Sequence, residues 1–144
     1  MKAPDKLSIV VQSGAFDRVH YALVLAAAAA ATNLPVTLFF TQWGCRALLR
    51  PAPDGTPGWT AMGVSEPGLT AAALDARFAA RGIGTFEELL QACAELGTRF
   101  LVCESGLAGA DLSPADLRTD LPTEIAGAVT FLRDASAEGA VLFV

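Results

Sequence analysis

Short apolar runs alternate with amphipathic stretches along the whole chain. Runs typical of buried strands lie at Leu7–Val11, Val36–Phe40, residues 100–103 and residues 141–144. Helical patterns occupy residues 18–32, 43–49, 71–81, 85–96 and 123–137. Asp17 is the expected N-cap of the first helix, and Thr85 with Glu88 forms a capping-box pattern. This alternation predicts an α/β fold with a parallel sheet and helices on both faces.

Two segments lack a regular pattern. Residues 51–68 are rich in proline and glycine, which predicts a loop longer than the roughly 12–15 residues that compact domains usually tolerate. We expect this loop to be more mobile than the sheet or to lie across a neighbouring subunit. Residues 107–122 are also irregular, with room for a short helix after Ser113 and Pro114.

Composition suggests an assembly of identical subunits. The 144 residues suit a single domain, residues 1–144, with one core. Hydrophobic residues make up 53% of the chain, whereas charged residues make up only 17%, against about 25% in an average domain. The mean hydropathy is +0.45. So little charge favours burial of part of the surface in a homo-oligomer.

Charge, cysteine usage and motifs exclude several classes of function. The net charge of −5, with no basic stripe, argues against direct nucleic-acid binding. Three widely spaced cysteines without Cys/His pairing predict no disulfide, no metal site and a cytoplasmic location. The alanine-rich stretch at residues 23–31 is shorter than the roughly 20 residues of a membrane span, so no span is expected. No G-x-G-x-x-G, Walker or G-x-S-x-G motif occurs, and no cofactor is expected.

Cys103 is the strongest candidate for chemistry. It ends an apolar run, and ligands of open α/β sheets bind outside the carboxyl ends of the strands. A helix beginning after it would lower the pKa of its thiol and make it a better nucleophile. Free cysteine is also often a small buried hydrophobe, so a structural role stays open.

Three strand ends would meet at one edge of the sheet if the strands are parallel neighbours. These ends supply the candidate site residues Ser13, Gly14, Thr41, Trp43, Gly44, Cys103, Glu104 and Ser105. The two glycines allow close approach of backbone to a ligand. We therefore expect a binding site at this edge, with Cys103 as its reactive group.

Other chemistry-bearing residues have simpler interpretations. His20 is the single histidine and a candidate base for Cys103, although a hydrogen-bonded structural role is the default. Cys93 lies on the apolar side of a helix and is expected in the core. Cys45 could relay with Cys103, but packing is the favoured role. Trp43 and Trp59 are expected at a pocket or, preferentially, at a subunit interface.

Several of these segments resemble the DsrE/DsrF-like family of sulfur-relay proteins, especially its stand-alone bacterial members. The similar segments are residues 6–11 leading to Ser13, Gly14 and Asp17, the alanine-rich helix, residues 36–41 leading to Trp43 and Gly44, residues 126–132, and the closing strand. The resemblance implies a three-layer α/β/α sandwich with a mainly parallel, flavodoxin-like sheet of about five strands. It also implies a homo-oligomer, a trimer or a hexamer. One departure is that Glu104-Ser105-Gly106-Leu107 replaces the Met-Ser-Met-type segment of many stand-alone members.

By this resemblance, Cys103 corresponds to the cysteine that carries the persulfide in the family. The resemblance thereby implies a sulfur carrier or sulfurtransferase that relays sulfane sulfur between donor and acceptor proteins. A second hypothesis is a non-catalytic oligomeric binding or scaffolding protein in which Cys103 is structural. A third is a small-ligand pocket covered by residues 51–68. Exposure and reactivity of Cys103 separate the first hypothesis from the others.

Overall fold

Five parallel strands form one sheet in a computed structural model that describes residues 2–144. The strands are β1 Leu7–Val11, β2 Val36–Phe40, β3 Arg99–Cys103, β4 Thr123–Ala126 and β5 Ala140–Phe143. The helices are α1 Phe16–Ala31, α2 Ala71–Ala80, α3 Phe86–Glu95, α4 Glu104–Gly109 and α5 Ala128–Asp134. The order across the sheet is β4-β3-β2-β1-β5, so β1, β2 and β3 are direct neighbours. The predicted parallel α/β class is confirmed, although this order differs from the 2-1-3-4-5 order of flavodoxin itself.

The larger part of the core lies on one face of the sheet. Side chains at alternate positions of β1, β2 and β3 point to this face and pack beneath α1 and α3. The largest fully buried side chains include Phe16, Phe40, Phe86 and Phe100. Fully burying one such side chain contributes roughly 1.5–3 kcal/mol, so this layer dominates the stability of the sheet.

The opposite face carries a smaller core beneath the short helix α5. Phe131 of α5 stacks on Phe39 of β2 with ring centroids 4.9 Å apart, and Leu101 and Cys103 complete the cluster. Asp134 at the end of α5 accepts hydrogen bonds from Lys6, Thr37 and Arg99 at 2.8, 2.5 and 2.7 Å. The side chain of Cys103 therefore points to the α5 face of the sheet.

The predicted helix over residues 123–137 is wrong in its first third. Thr123–Ala126 is strand β4, paired in parallel with β3, and Gly127 precedes the seven-residue helix α5. Ile125, Val129 and Leu132 have helical spacing, but all three are exposed, and Phe131 is the buried residue of α5. Pairing with β3 satisfies the backbone of residues 123–126, and this outweighs the local helical pattern.

Other predicted boundaries needed smaller corrections. Helix α1 begins at Phe16, and Ala15 rather than Asp17 is its N-cap. Asp17 lies in the first turn and accepts a hydrogen bond from the Ser65 backbone N–H at 2.9 Å. The Thr85 hydroxyl accepts from the Glu88 N–H at 3.3 Å, which is one of the two hydrogen bonds of the predicted capping box. The predicted short helices occur as 3₁₀ turns at Gln42–Leu48 and Pro114–Asp116.

The proline- and glycine-rich segment is fixed to the body of the protein by Trp59. A 3₁₀ turn at Gly58–Ala61 carries this side chain into the core, where it is 4% exposed and packs against Phe16 and Phe86. Its indole N–H donates to Glu87 at 3.2 Å. The expectation of Trp59 at a pocket or interface is therefore wrong, because the side chain fills space within its own subunit. Across the described residues, no helix combines the length and apolar character needed to cross a membrane.

Candidate functional site

The loops after β1 and β2 lie against each other at the carboxyl edge of the sheet. A Cβ placed on Gly14 would lie 2.8 Å from the Cβ of Trp43, and one on Gly44 would collide with the carbonyl oxygen of Val11. The Gly44 N–H donates to the carbonyl of Gln12 at 3.0 Å. Both glycines are therefore needed for close packing between these two loops.

Helix α4 is held equally close to the end of β2. A Cβ on Gly106 would collide with the Thr41 hydroxyl and would lie 2.7 Å from the backbone nitrogen of Gln42. Gly106 thus lets the first turn of α4 approach β2. The three strand ends lie at one edge of the sheet, and Thr41 contacts the β3–α4 junction directly. Gly14 and Gly44 instead lie against Trp43 and the end of β1, on the far side of β2 from Cys103.

Cys103 is the N-cap residue at that junction. Its Sγ accepts a hydrogen bond from the Gly106 N–H at 3.4 Å and lies 3.3 Å from the Ser105 hydroxyl. The residue is 6% exposed. A cysteine sulfur thus occupies the place where a serine or aspartate oxygen commonly caps a helix.

Opposing effects act on the Cys103 thiol. Burial alone would raise its pKa, because the thiolate loses solvation. Hydrogen bonds from the Ser105 hydroxyl and the Gly106 N–H, with a contribution from the Thr41 hydroxyl, outweigh burial and lower the pKa below its usual value. At neutral pH this raises the fraction of the nucleophilic thiolate.

The pKa values of the other two cysteine thiols are raised rather than lowered. Burial raises the pKa of Cys93 to about 11. Burial, together with the nearby charge of Cys103, raises the pKa of Cys45 to about 12. Both residues have no exposed surface, as the core interpretation predicted. The three thiols are free, and Cys103 alone among them has a lowered pKa.

His20 is not brought to the Cys103 thiol. Its Nε2–H donates to the Gly84 carbonyl at 2.8 Å, and its ring lies 4.3 Å from that of Phe78, centroid to centroid. It is 4% exposed, and its hydrogen-bond and ring contacts within residues 2–144 do not include Cys103. These contacts describe a hydrogen-bonded structural histidine, which was the default interpretation.

The remaining candidate residues line an open surface. Trp43 is 46% exposed, and with Ser13, Gly14 and Arg46 it borders a cleft of about 490 Å³. Glu104 and Ser105 are exposed on the first turn of α4. In the described part of the chain, no group of three His, Cys, Asp or Glu side chains is arranged to hold a metal ion.

Sequence reasoning missed the role of Gly106. This residue supplies an N–H to the thiol and permits contact with Thr41, yet the sequence pattern pointed only to Cys103, Glu104 and Ser105 in that segment. The spacing Cys-x-x-Gly after an apolar strand was the available signal, since the N3 backbone of a helix reaches back to its N-cap.

Comparisons with known proteins agree with this architecture. A family model described as the DsrE/DsrF/DrsH-like family matches residues 3–143. The sulfur carrier protein DsrE2 of Allochromatium vinosum is 26% identical, over 96% of this chain and 98% of its own. The crystal structure of the ychN protein from E. coli superposes with a TM-score of 0.65 at 19% identity, covering 97% of this chain and 99% of that one. The structural likeness supports the fold, and the family match with the named relative supports a role in sulfur relay.

Proposed function

Because the chain belongs to the DsrE/DsrF/DrsH-like family, we propose that it carries sulfane sulfur as a persulfide on Cys103 and passes it between partner thiols. The observation that carries this proposal is the contrast among the three thiols. Cys103 lies at the carboxyl edge of the sheet with donors that lower its pKa, whereas Cys45 and Cys93 are buried thiols of raised pKa.

Loading and release are two exchange steps at the same sulfur atom. The Cys103 thiolate attacks the outer sulfur of a donor persulfide, the donor S–S bond breaks, and the donor leaves as a thiolate. An acceptor thiolate then attacks the outer sulfur on Cys103, and the Cys103 thiolate is the leaving group. No net oxidation or reduction occurs. A lowered pKa assists release, because a thiol of lower pKa is a better leaving group.

Neighbouring residues have defined parts in this scheme. Ser105, Gly106 and Thr41 stabilise negative charge on Sγ in both steps. The cleft bordered by Ser13, Gly14, Trp43 and Arg46 is proposed to contact the donor and acceptor proteins. We assign no proton transfer to His20, since its Nε2–H is bonded to Gly84. We further propose that the carrier works in the cytoplasm as a homo-oligomer.

One observation favours the alternative of a scaffold with a structural cysteine. Cys103 is only 6% exposed, so a donor must reach a nearly buried sulfur. The two functions differ in whether Cys103 accepts sulfur, and this can be measured directly.

The test is incubation of the reduced protein with sodium polysulfide, followed by intact mass and peptide mapping. We expect one added sulfur atom on the peptide that contains Cys103, and its transfer to a small acceptor thiol on chase. Cys103→Ser should fold normally and carry none, whereas Cys93→Ala should load as the wild type does. Sulfur retained by Cys103→Ser, or a wild type that never loads, would reject the carrier and favour the scaffold.

A further inference from the structure

The two edges of the sheet differ in how they are protected from other chains. Glu124 of the edge strand β4 forms an ion pair with Arg99 at 2.8 Å, and Pro122 and Gly127 bracket the strand. The edge strand β5 has the sequence Ala-Val-Leu-Phe and carries no charge. Val141, Leu142 and Phe143 are 54%, 36% and 72% exposed. An apolar edge strand without such protection is a template for pairing with another strand.

The backbone of β5 has hydrogen-bonding groups left over on its outer side. The Ala140 N–H donates to the Lys6 carbonyl at 2.9 Å, and the Val144 N–H donates to the Val10 carbonyl at 2.8 Å. Successive residues of a strand alternate in direction, so the groups of Val141 and Phe143 point away from β1. Within residues 2–144, no other strand lies beyond β5.

We propose that β5 pairs antiparallel with β5 of a second copy of this chain, across a two-fold axis at Leu142. This contact gives a surface to the proposed self-association but does not depend on the sulfur chemistry. The register follows from the outward groups, since Val141 must face Phe143 of the second copy as a hydrogen-bonded pair. Two such pairs provide four backbone hydrogen bonds, and Leu142 faces its own copy on the axis. The two sheets join into one of ten strands.

The side chains suit this register on both faces. On the α5 face, Val141 pairs with Phe143 of the second copy, a β-branched and aromatic combination that stabilises neighbouring strands. On the other face, Leu142 aligns with the core residue Ile9 of β1. An open cleft of about 230 Å³ adjoins the end of the strand, where it is bordered by Phe143, Val144, Tyr21 and Leu25. Tyr21 and Leu25 are 62% and 36% exposed. The pairing therefore covers apolar surface on both sides of the sheet.

Charges at the two ends of β5 are complementary in an antiparallel arrangement. Arg18 is exposed, borders the same cleft as Val144, and forms no ion pair within the described chain. Glu138 lies just before β5, and it pairs with Lys2 through side chains that are 68% and 83% exposed. Antiparallel pairing turns the Val144 end of one copy towards the Glu138 end of the other. A parallel arrangement would instead bring Arg18 towards Arg18 of the second copy and Glu138 towards its Glu138.

Symmetry makes the proposal restrictive. A two-fold contact uses the same surface on both subunits, so it requires an even number of subunits. The family resemblance implies a trimer or a hexamer. The two-fold contact is compatible with a hexamer, but it is incompatible with a closed trimer, because three subunits cannot all be paired.

Light scattering of the full chain at micromolar concentration measures the mass of the assembly and so tests pairing through β5. We expect a dimer or a larger even assembly, and we expect Val141→Lys and Phe143→Lys each to reduce the mass to half or less. Ile125→Lys, on the edge strand β4, is the matched control and should keep the wild-type mass. Circular dichroism shows which of the two β5 lysine variants fold. The mass of a folded variant then shows whether β5 is needed for the assembly. A monomeric or trimeric wild type, or a folded β5 variant of unchanged mass, overturns the proposal.

Crosslinking then tests the register. In a Cys103→Ser background, Leu142→Cys should form a disulfide between copies under mild oxidation, because facing residues of a non-hydrogen-bonded pair lie about 4.5 Å apart. Val141→Cys in the same background should crosslink at least about tenfold more slowly, since its counterpart lies diagonally across the axis. Equal or reversed yields contradict the register. Sulfur loading of the Val141→Lys variant is measured separately, so failure of the interface and failure of the carrier function give different results.

Discussion

Cys103 and Cys93 are both nearly buried, at 6% and 0% exposed, yet their pKa values shift in opposite directions. Cys93 lies in α3, where the backbone N–H groups are occupied by the helix itself, and its Sγ lies 4.0 Å from the Leu23 carbonyl, which cannot donate. Burial raises the pKa of Cys93, and the Thr98 hydroxyl offsets only part of that effect. Cys103 lies at the start of α4, where N–H groups are free to reach the sulfur. Burial raises the pKa of both thiols, and the larger supply of hydrogen-bond donors at Cys103 reverses the direction of the shift there.

Timed alkylation gives the largest expected difference between these two regions. At pH 7.5, iodoacetamide should label Cys103 at least about 100-fold faster than Cys93, because only a minute fraction of a thiol with a pKa of about 11 is ionised. The pH profile of Cys103 labelling should have its midpoint below the roughly 8.5 of a free cysteine, since a lowered pKa gives thiolate at lower pH. Faster labelling of Cys93 would contradict the comparison.

Gly106→Ala should have the next largest effect. The added Cβ would collide with Thr41, so the first turn of α4 must move, and the N–H of residue 106 must then move away from the Cys103 sulfur. We expect a loss of about 1–3 kcal/mol in unfolding free energy, measured by chemical denaturation, and about tenfold slower labelling of Cys103. Gly109→Ala is the matched control in the same helix, since no atom lies within 4 Å of its Cβ position. Equal effects of the two substitutions would exclude a special role for Gly106.

These results also show what the sequence could not provide. The bounds of β1 and β2, the end of β3 at Cys103 and the core position of Cys93 follow from local apolar patterns. The role of Gly106 depends on contact between α4 and the loop after β2, and that contact depends on strand order. The sequence predicts helix where β4 lies because the spacing of Ile125, Val129 and Leu132 is helical, whereas pairing with β3 is not visible in a local window.

Ser105→Ala removes the hydroxyl contact to the sulfur, the first of the hydrogen bonds that lower the pKa of Cys103, without moving the helix. Loss of the hydroxyl should raise the pKa of Cys103 and slow labelling at pH 7 about two- to tenfold, the range for one hydrogen bond. The labelling profile should shift to higher pH. Glu104→Gln changes the exposed neighbour and should leave the profile in place, because its charge is not among the causes of the shift. A shift of the same size in Glu104→Gln would indicate that the net charge at the start of α4, rather than the Ser105 hydroxyl, sets the pKa of Cys103.

Cys93→Ala should give the smallest change at the site. Removal of one buried sulfur atom should cost about 1 kcal/mol of stability, measured by chemical denaturation. The labelling rate of Cys103 should stay unchanged, since the two thiols have no common donor. A slower rate in this variant would reveal coupling between the core and the strand end.

Gly106 separates two kinds of position within a single helical turn. The residue that fixes the thiol against β2 is buried, whereas Glu104, two positions before it, faces solvent. Substitutions at position 104 can alter the charge presented to a partner while the contact between Gly106 and Thr41 stays intact. Under the proposed carrier function, the charge at position 104 and the contact at Gly106 can therefore change independently, because one faces solvent and the other faces β2.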